Sequence, residues 1–178
     1  MEETNWLKQQ LQLLLTAYGY NLYNSVNRAR ADDLLVREQA GARLSQAVDL
    51  LTQLATDYHS RCIPACTREQ PFPPADKLAA LKEIQTLQDD ISRLSTQLRG
   101  MSVPTADRTW TKFRDEHETL SKLLLEDYNL ITQAGAVLQC VQSLTAEEWT
   151  SAQAAELRPL IHAVEQTSRD RDHLLHNI

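Results

Sequence analysis

Glycine is scarce, with four residues in a chain of 178. So few positions free to take left-handed backbone leave little material for tight hairpins, and there is no glycine-rich loop to wrap a phosphate. Aromatic residues are thin as well, at 6%, while Leu, Ala and Gln abound, a balance that favours helices over sheets. No apolar run approaches the roughly 20 residues that a membrane span requires. The opening residues, Met1 to Trp6, are acidic and lack the basic and apolar regions of a secretory signal, so a cytoplasmic location is expected. A basic cluster is missing too. Arg28, Arg30, Arg37 and Arg43 form the one concentration of cations, and Asp32, Asp33 and Glu38 are interleaved with them. Binding a duplex needs clustered cations that displace counterions from phosphate, so nucleic acid is not an expected partner, and neither is a membrane.

What remains is apolar periodicity. Ala80, Ile84, Leu87, Ile91, Leu94, Leu98 and Met101 alternate steps of four and three without a miss. Trp110, Phe113, His117, Leu120, Leu124, Asp127, Ile131, Ala134, Leu138 and Val141 do the same with two polar interruptions. Leu34, Arg37, Gly41, Leu44, Val48, Leu51, Ala55 and Tyr58 form a weaker third copy. A stripe of this kind lets a helix lie nearly parallel to its neighbours and bury one seam. Hydrophobic content of 42% and charged content of 24% suit one packed domain spanning residues 1–178. The expected fold is all-α: an antiparallel helical bundle of four to five long helices with coiled-coil-like heptad packing. The net charge of −6 falls mostly on residues 105–178, which hold seven basic and twelve acidic side chains. That excess reads as a solvated face.

Proline marks the breaks. Four of the six prolines lie between Pro64 and Pro74, and helix cannot run through them, so residues 62–75 form the one long loop. Gly100 and Pro104 end the next helix. Thr145 and Glu148 have the spacing of a capping box, with Leu144 and Trp149 as its hydrophobic staple, and place a helix start at Thr145. Between Arg28 and Asp33, basic residues followed by acidic ones read as a helix end and a new beginning, although one apolar stripe also runs straight through. The turn is the favoured reading; the alternative is a single helix over residues 4–61. Helices are therefore expected at about 4–30, 33–61, 76–99, 107–143 and 146–176, with sequence neighbours antiparallel and Pro159 kinking the last.

Candidate chemistry is sparse. His59, Cys62 and Cys66 have thiolate and imidazole at short spacing, which suits zinc, but the fourth ligand would have to come from Cys140 on a distant helix. Free loop cysteines in a reducing compartment are the simpler reading, with a regulatory disulfide as another. His117 and Asp127 share a seam, but ten residues of helix put roughly 15 Å between them, too far for an acid–base pair. Polar seam residues more often fix register. Asp170, His173 and His176 fall on the last turns before the terminus, where histidines meet helix-end carbonyls. No nucleophile motif, cofactor fingerprint or metal motif stands out, so neither an enzyme nor a cofactor is expected.

The first helix carries more apolar surface than one buried face needs. Leu7, Leu11, Leu14, Leu15, Tyr18, Leu22 and Val26 form that face. Trp6, Leu13 and Tyr20, spaced by seven, form a second row more than about 100° away. Either this helix is central in the bundle or the row contacts another chain. Phe72, between Pro71 and Pro73, is expected to plug the bundle end, with docking as an extended ligand the lesser alternative. The function expected is a non-catalytic protein–protein interaction module, an adaptor, chaperone-like binder or assembly subunit, with another protein or a second copy as partner. Its contact residues would be Trp6, Leu13, Tyr20 and Phe72. The competing expectation is a metal- or small-molecule-binding helical sensor or enzyme built on His59, Cys62, Cys66 or the His117/Asp127 seam.

Overall fold

The computed structural model describes residues 2–15, 18–23, 26–68, 71–102, 110–111 and 117–176. Five helices are present among them: α1 (Glu2–Leu15), α2 (Val26–Cys62), α3 (Ala75–Gly100), α4 (His117–Gln142) and α5 (Ser151–His176). There is no strand among the described residues. The protein is a helical bundle in which α2 packs on α3 and α4, α5 packs on α3 and α4, and α1 packs on α4.

Side-chain contacts fix the directions. Arg37 donates to the Met101 carbonyl, while Ser95 Oγ donates to the Gly41 carbonyl at 3.1 Å, so α3 runs antiparallel to α2. Asp127 near the start of α4 meets Arg171 near the end of α5, so that pair is antiparallel as well. The two hairpins lie side by side, with Arg43 of α2 donating to the Ile131 carbonyl of α4 at 2.9 Å and Arg158 of α5 facing Glu83 of α3 at 3.6 Å. Thus α2 runs parallel to α4 and α3 parallel to α5, while α3 and α4, consecutive in sequence, sit on a diagonal. Gly41 lies under the Arg99 side chain, since a Cβ there would lie 2.8 Å from its Nε.

The periodic stripes form the core. Ile84, Leu87, Ile91, Leu94 and Leu98 are buried along α3, and Leu124, Ile131, Ala134 and Val141 along α4. Leu120 and Leu138 are only half-buried, because the α4 seam is one residue wider than the heptad suggests: Leu123, Leu130 and Val137 are buried beside it. Contact with α1, α2 and α5 explains the width. A helix with three neighbours needs more than a two-residue seam.

Two expected boundaries are corrected. Residues 28–33 do not break the chain; they belong to α2, which runs 37 residues without interruption. The break lies earlier, after Leu15, where Gly19 (φ 84°), Leu22 (φ 54°) and Tyr23 (φ 58°) take left-handed backbone. Neither the turn at Arg28–Asp33 nor a single rod over 4–61 survives. Asp32 and Asp33, which resembled a helix start, are instead consumed in the pairing described below. The last helix starts at Ser151, not after Thr145. Thr145 Oγ1 does donate to Glu148 at 3.1 Å, but only a turn forms there. Gln153 accepts from the Thr150 amide at 3.0 Å, completing the returning arm of a second box five residues on. The expected start of α4 at residue 107 lies outside the described residues, as does the side chain of His117.

Phe72 is the third correction. It is 78% exposed and plugs nothing. Proline on both sides and the entry into α3 at Ala75 leave its ring out in solvent.

Candidate functional site

Near the end of the bundle where α2 and α4 begin and α5 ends, the core turns ionic. Arg171 on α5 donates from Nε to Asp127 Oδ1 of α4 and from a terminal nitrogen to Asp33 Oδ1 of α2, both at 2.7 Å. Asp33 also accepts from Arg37, one helical turn on. Asp33 and Asp127 are fully buried, and Arg37 and Arg171 are nearly so. A buried charge is tolerable only when paired and hydrogen-bonded, and these are. Each ion occupies a position that the helical period reserves for the core. Three separate helices are thereby pinned to one register.

Residues 18–23, between α1 and α2, close over this cluster. Tyr20 and Tyr23 hydroxyls both donate to Asp127 Oδ2, at 3.0 and 2.6 Å. Asp32 accepts from the amides of Asn21 and Tyr23, each at 2.8 Å. Tyr23 stacks on Trp110 with ring centroids 6.0 Å apart. Left-handed backbone costs about 1–2 kcal/mol at each of Leu22 and Tyr23. Two hydrogen bonds to a carboxylate contribute about 1.5–3 kcal/mol each, enough to hold the turn. Burial, reinforced by Asp127, raises the Tyr20 and Tyr23 hydroxyls well above their ordinary range, which keeps them as donors. Burial also raises Asp127, against the opposing pull of Arg171 and the Tyr23 hydrogen bond. For Arg171, burial opposes the charge, and Asp127, Tyr23 and Asp33 outweigh it, leaving the guanidinium firmly cationic. The arrangement is a clasp. Its acceptors and donors face one another, and Asp127, the one member of the His117/Asp127 seam whose side chain is described, is fully engaged within the protein.

The outer side of α1 is different. Leu7, Leu11 and Leu15 are buried against α4, while Trp6 is 52% exposed and Leu13 77% exposed. Trp6 leans edge-on against Tyr128 of α4, with centroids 5.6 Å apart. Gln9, Gln12 and Leu14 complete the exposed surface of residues 6–15, on which no charged side chain is fully exposed; Lys8 is half-buried. Tyr20 does not belong to this row. The helix ends before it, and its ring is buried with its hydroxyl on Asp127. Because α4 continues past the end of α1, a groove of about 470 Å³ opens there, lined by Leu14, Tyr128, Ile131, Gly135, Leu138 and Arg43. Desolvation in its wall lowers the Arg43 guanidinium, with Tyr18 acting in the opposite direction.

The remaining candidates do not converge. His59 and Cys66 are exposed, and Cys62 is half-buried with its thiol directed at the Ala146 carbonyl, 3.4 Å away. Burial, followed by Glu156, raises the half-buried Cys140 thiol. Asp170 accepts from Gln166 at 2.9 Å, whereas His176 pairs with Asp172 at 3.1 Å and lies 3.3 Å from Ser102. Among the described residues no group of three or more His, Cys, Asp or Glu side chains is gathered so as to hold a metal ion. No helix of the described residues is long and apolar enough to cross a membrane.

No protein-family model, curated protein or solved structure matches the chain. Any functional reading rests on its own geometry.

Sequence reasoning named Asp127, Tyr20, Asp32 and Asp33 but gave them other roles, and it passed over Tyr23 and Arg171. A signal for Arg171 was present. Ala154, Leu157, Ile161, Val164, Ser168, Arg171 and Leu175 alternate steps of three and four, which puts an arginine in a core slot of α5. Asp33 occupies the equivalent kind of slot in the stripe through α2. Charges of opposite sign in core slots of different helices are the pattern that marks a buried pair.

Proposed function

We propose that the protein is a non-catalytic interaction module, an adaptor or assembly subunit, which docks through helix-on-helix contact on the outer face of α1. The observation that carries this reading is the pair Trp6 and Leu13, large apolar side chains left in water on a helix whose other face is already satisfied by the bundle. Exposed apolar surface marks contact sites, and tryptophan is among the side chains most enriched in interface hot spots. The clasp supports the same reading. By tying residues 20–23 to Asp32 and Asp127 it holds the C-terminal side of α1 in place, and a surface fixed beforehand loses less freedom when a partner arrives.

Replacing Trp6 and Leu13 together by Ser tests it. Binding to a partner or to another copy should weaken at least tenfold, while helical circular dichroism and the melting temperature stay close to those of the parent. Unchanged binding would remove α1 from the interface. A collapse in melting would mean that these side chains support the fold rather than a contact.

A further inference from the structure

We infer that the partner of this face is a second copy of the chain, paired through antiparallel α1 helices around a two-fold axis that passes between Gln9 and Gln10; this rests on the interaction reading above. The sequence of α1 has the required symmetry. Reversing the helix about that point sets Trp6 against the partner's Leu13 and Leu13 against the partner's Trp6, with the glutamines at the centre. Trp6, Gln9 and Leu13 lie on one outward ridge, opposite the buried ridge of Leu7, Leu11 and Leu15. An isologous contact places every residue near its own copy or its mirror position, so it succeeds only on a surface compatible with itself.

Charge selects the same face. The chain carries −6 overall, so two copies repel unless they meet where charge is absent. The exposed residues of α1 within 6–15 are Trp6, Gln9, Gln12, Leu13 and Leu14, none of them ionisable. A glutamine amide is both donor and acceptor and can therefore pair with another glutamine, which a lysine or glutamate at that place cannot do with its own kind. The bulky pair fits as well: the partner's Leu13 covers the side of the Trp6 ring that Tyr128 leaves open. A contact limited to one helix of 14 residues is small, so the dimer belongs to the weak class, populated at micromolar chain concentrations.

Two measurements on the full chain test the arrangement. In a chain with Cys62, Cys66 and Cys140 changed to Ser, Gln9→Cys places the introduced thiols near the axis, offset along the helix by only about 1.5 Å. Leu13→Cys separates them along the helix by roughly 10 Å, beyond the reach of a disulfide. Mild oxidation should give covalent dimer from the first variant and little from the second, at concentrations where sedimentation shows reversible dimer for the parent. Leu13→Glu, at a position 77% exposed and so without cost to the core, should raise the dimer dissociation constant at least tenfold with unchanged melting. Cross-linking at both positions would mean parallel helices and overturn the antiparallel pairing. A parent chain that stays monomeric at hundreds of micromolar would overturn self-pairing altogether. If that monomer still bound a different protein, and Leu13→Glu abolished the binding, the interaction reading would stand and only the identity of the partner would fall. If Leu13→Glu left that binding intact, both would fall.

Discussion

Around Leu51, Leu54 and Tyr58 of α2, the core is completed by Ile84 and Leu87 of α3, Val137 and Val141 of α4, and Leu157 of α5. At the opposite end, Asp33 and Asp127 are buried as deeply as any of those leucines, and Arg171 nearly so. The first end is held by packing, which is strong but not directional: an aliphatic side chain accepts many neighbours. The second end has a different task. It fixes a non-helical segment, residues 18–23, and the start of a 37-residue helix in one arrangement. Hydrogen bonds to buried charges have defined directions, so they can specify a turn that hydrophobic contact alone would leave free to slide. The contrast suggests that buried ions are used here for specificity rather than for net stability, as a single polar seam residue is used in helical assemblies.

The largest test of that contrast is Arg171→Ala. It leaves Asp33 and Asp127 buried without their shared cation, and stability should fall by about 3–5 kcal/mol. Leu87→Ala, at the apolar end, should cost about 2–5 kcal/mol through lost burial and a cavity. The two differ in kind more than in size. Adding Asp33→Asn and Asp127→Asn to Arg171→Met should recover much of the first loss in chemical denaturation, yet leave residues 18–23 open to protease. Recovery of both stability and protection would show that the ions are dispensable for specificity.

A smaller effect comes from pH. Tyr20 and Tyr23 have folded-state values raised well above 10.0 by burial and by Asp127. The unfolded chain therefore releases these protons first. Their contribution to stability is complete below about pH 10 and is lost as the pH rises from there toward the folded-state values. Each tyrosine should steepen the alkaline decline by up to about 1.4 kcal/mol per pH unit, and Tyr20→Phe should remove one such contribution. Denaturant titrations between pH 8 and pH 11 on parent and variant would measure it. Equal slopes would mean that the Tyr20 hydroxyl is not held on Asp127.

This difference between the ends also decides what could be read from the sequence. Apolar spacing is a property of each helix alone, so Ile84 to Leu98 announce their burial without reference to anything else. Buried ions are a property of several helices at once. Arg171 looks like any arginine until Asp127, 44 residues earlier, and Asp33, 138 residues earlier, are brought beside it. The same ambiguity misplaced the first turn. Asp32 and Asp33 have the composition of a helix start, and only the positions of Tyr23 and Arg171 show that they serve as acceptors inside a continuing helix. Gly19 was the better local cue, since its left-handed backbone is one that glycine adopts at little cost. On α1, Trp6 and Leu13 were legible as a surplus apolar row, open between a central helix and a contact, and both are exposed. Tyr20 was not legible, because its place in that row assumed a helix that had already ended.

The smallest expected effect separates two nearly identical local signals at the apolar end. Thr145-x-x-Glu148 and Thr150-x-x-Gln153 both fit the spacing of a capping box, but only the second adjoins a helix, α5 from Ser151. Gln153 accepts from the Thr150 amide at 3.0 Å, so Gln153→Ala strands a donor at the helix start and should cost about 0.5–1 kcal/mol. Thr145 and Glu148 are both exposed, and their 3.1 Å contact closes a turn in water. Thr145→Ala should therefore change stability by less than about 0.5 kcal/mol. Urea unfolding of the two single variants is sufficient, since both leave the core untouched. A larger loss at Thr145 than at Gln153 would move the start of α5 back to the first box. Trp149, now buried between the two, would then have to sit within the helix instead of ahead of it.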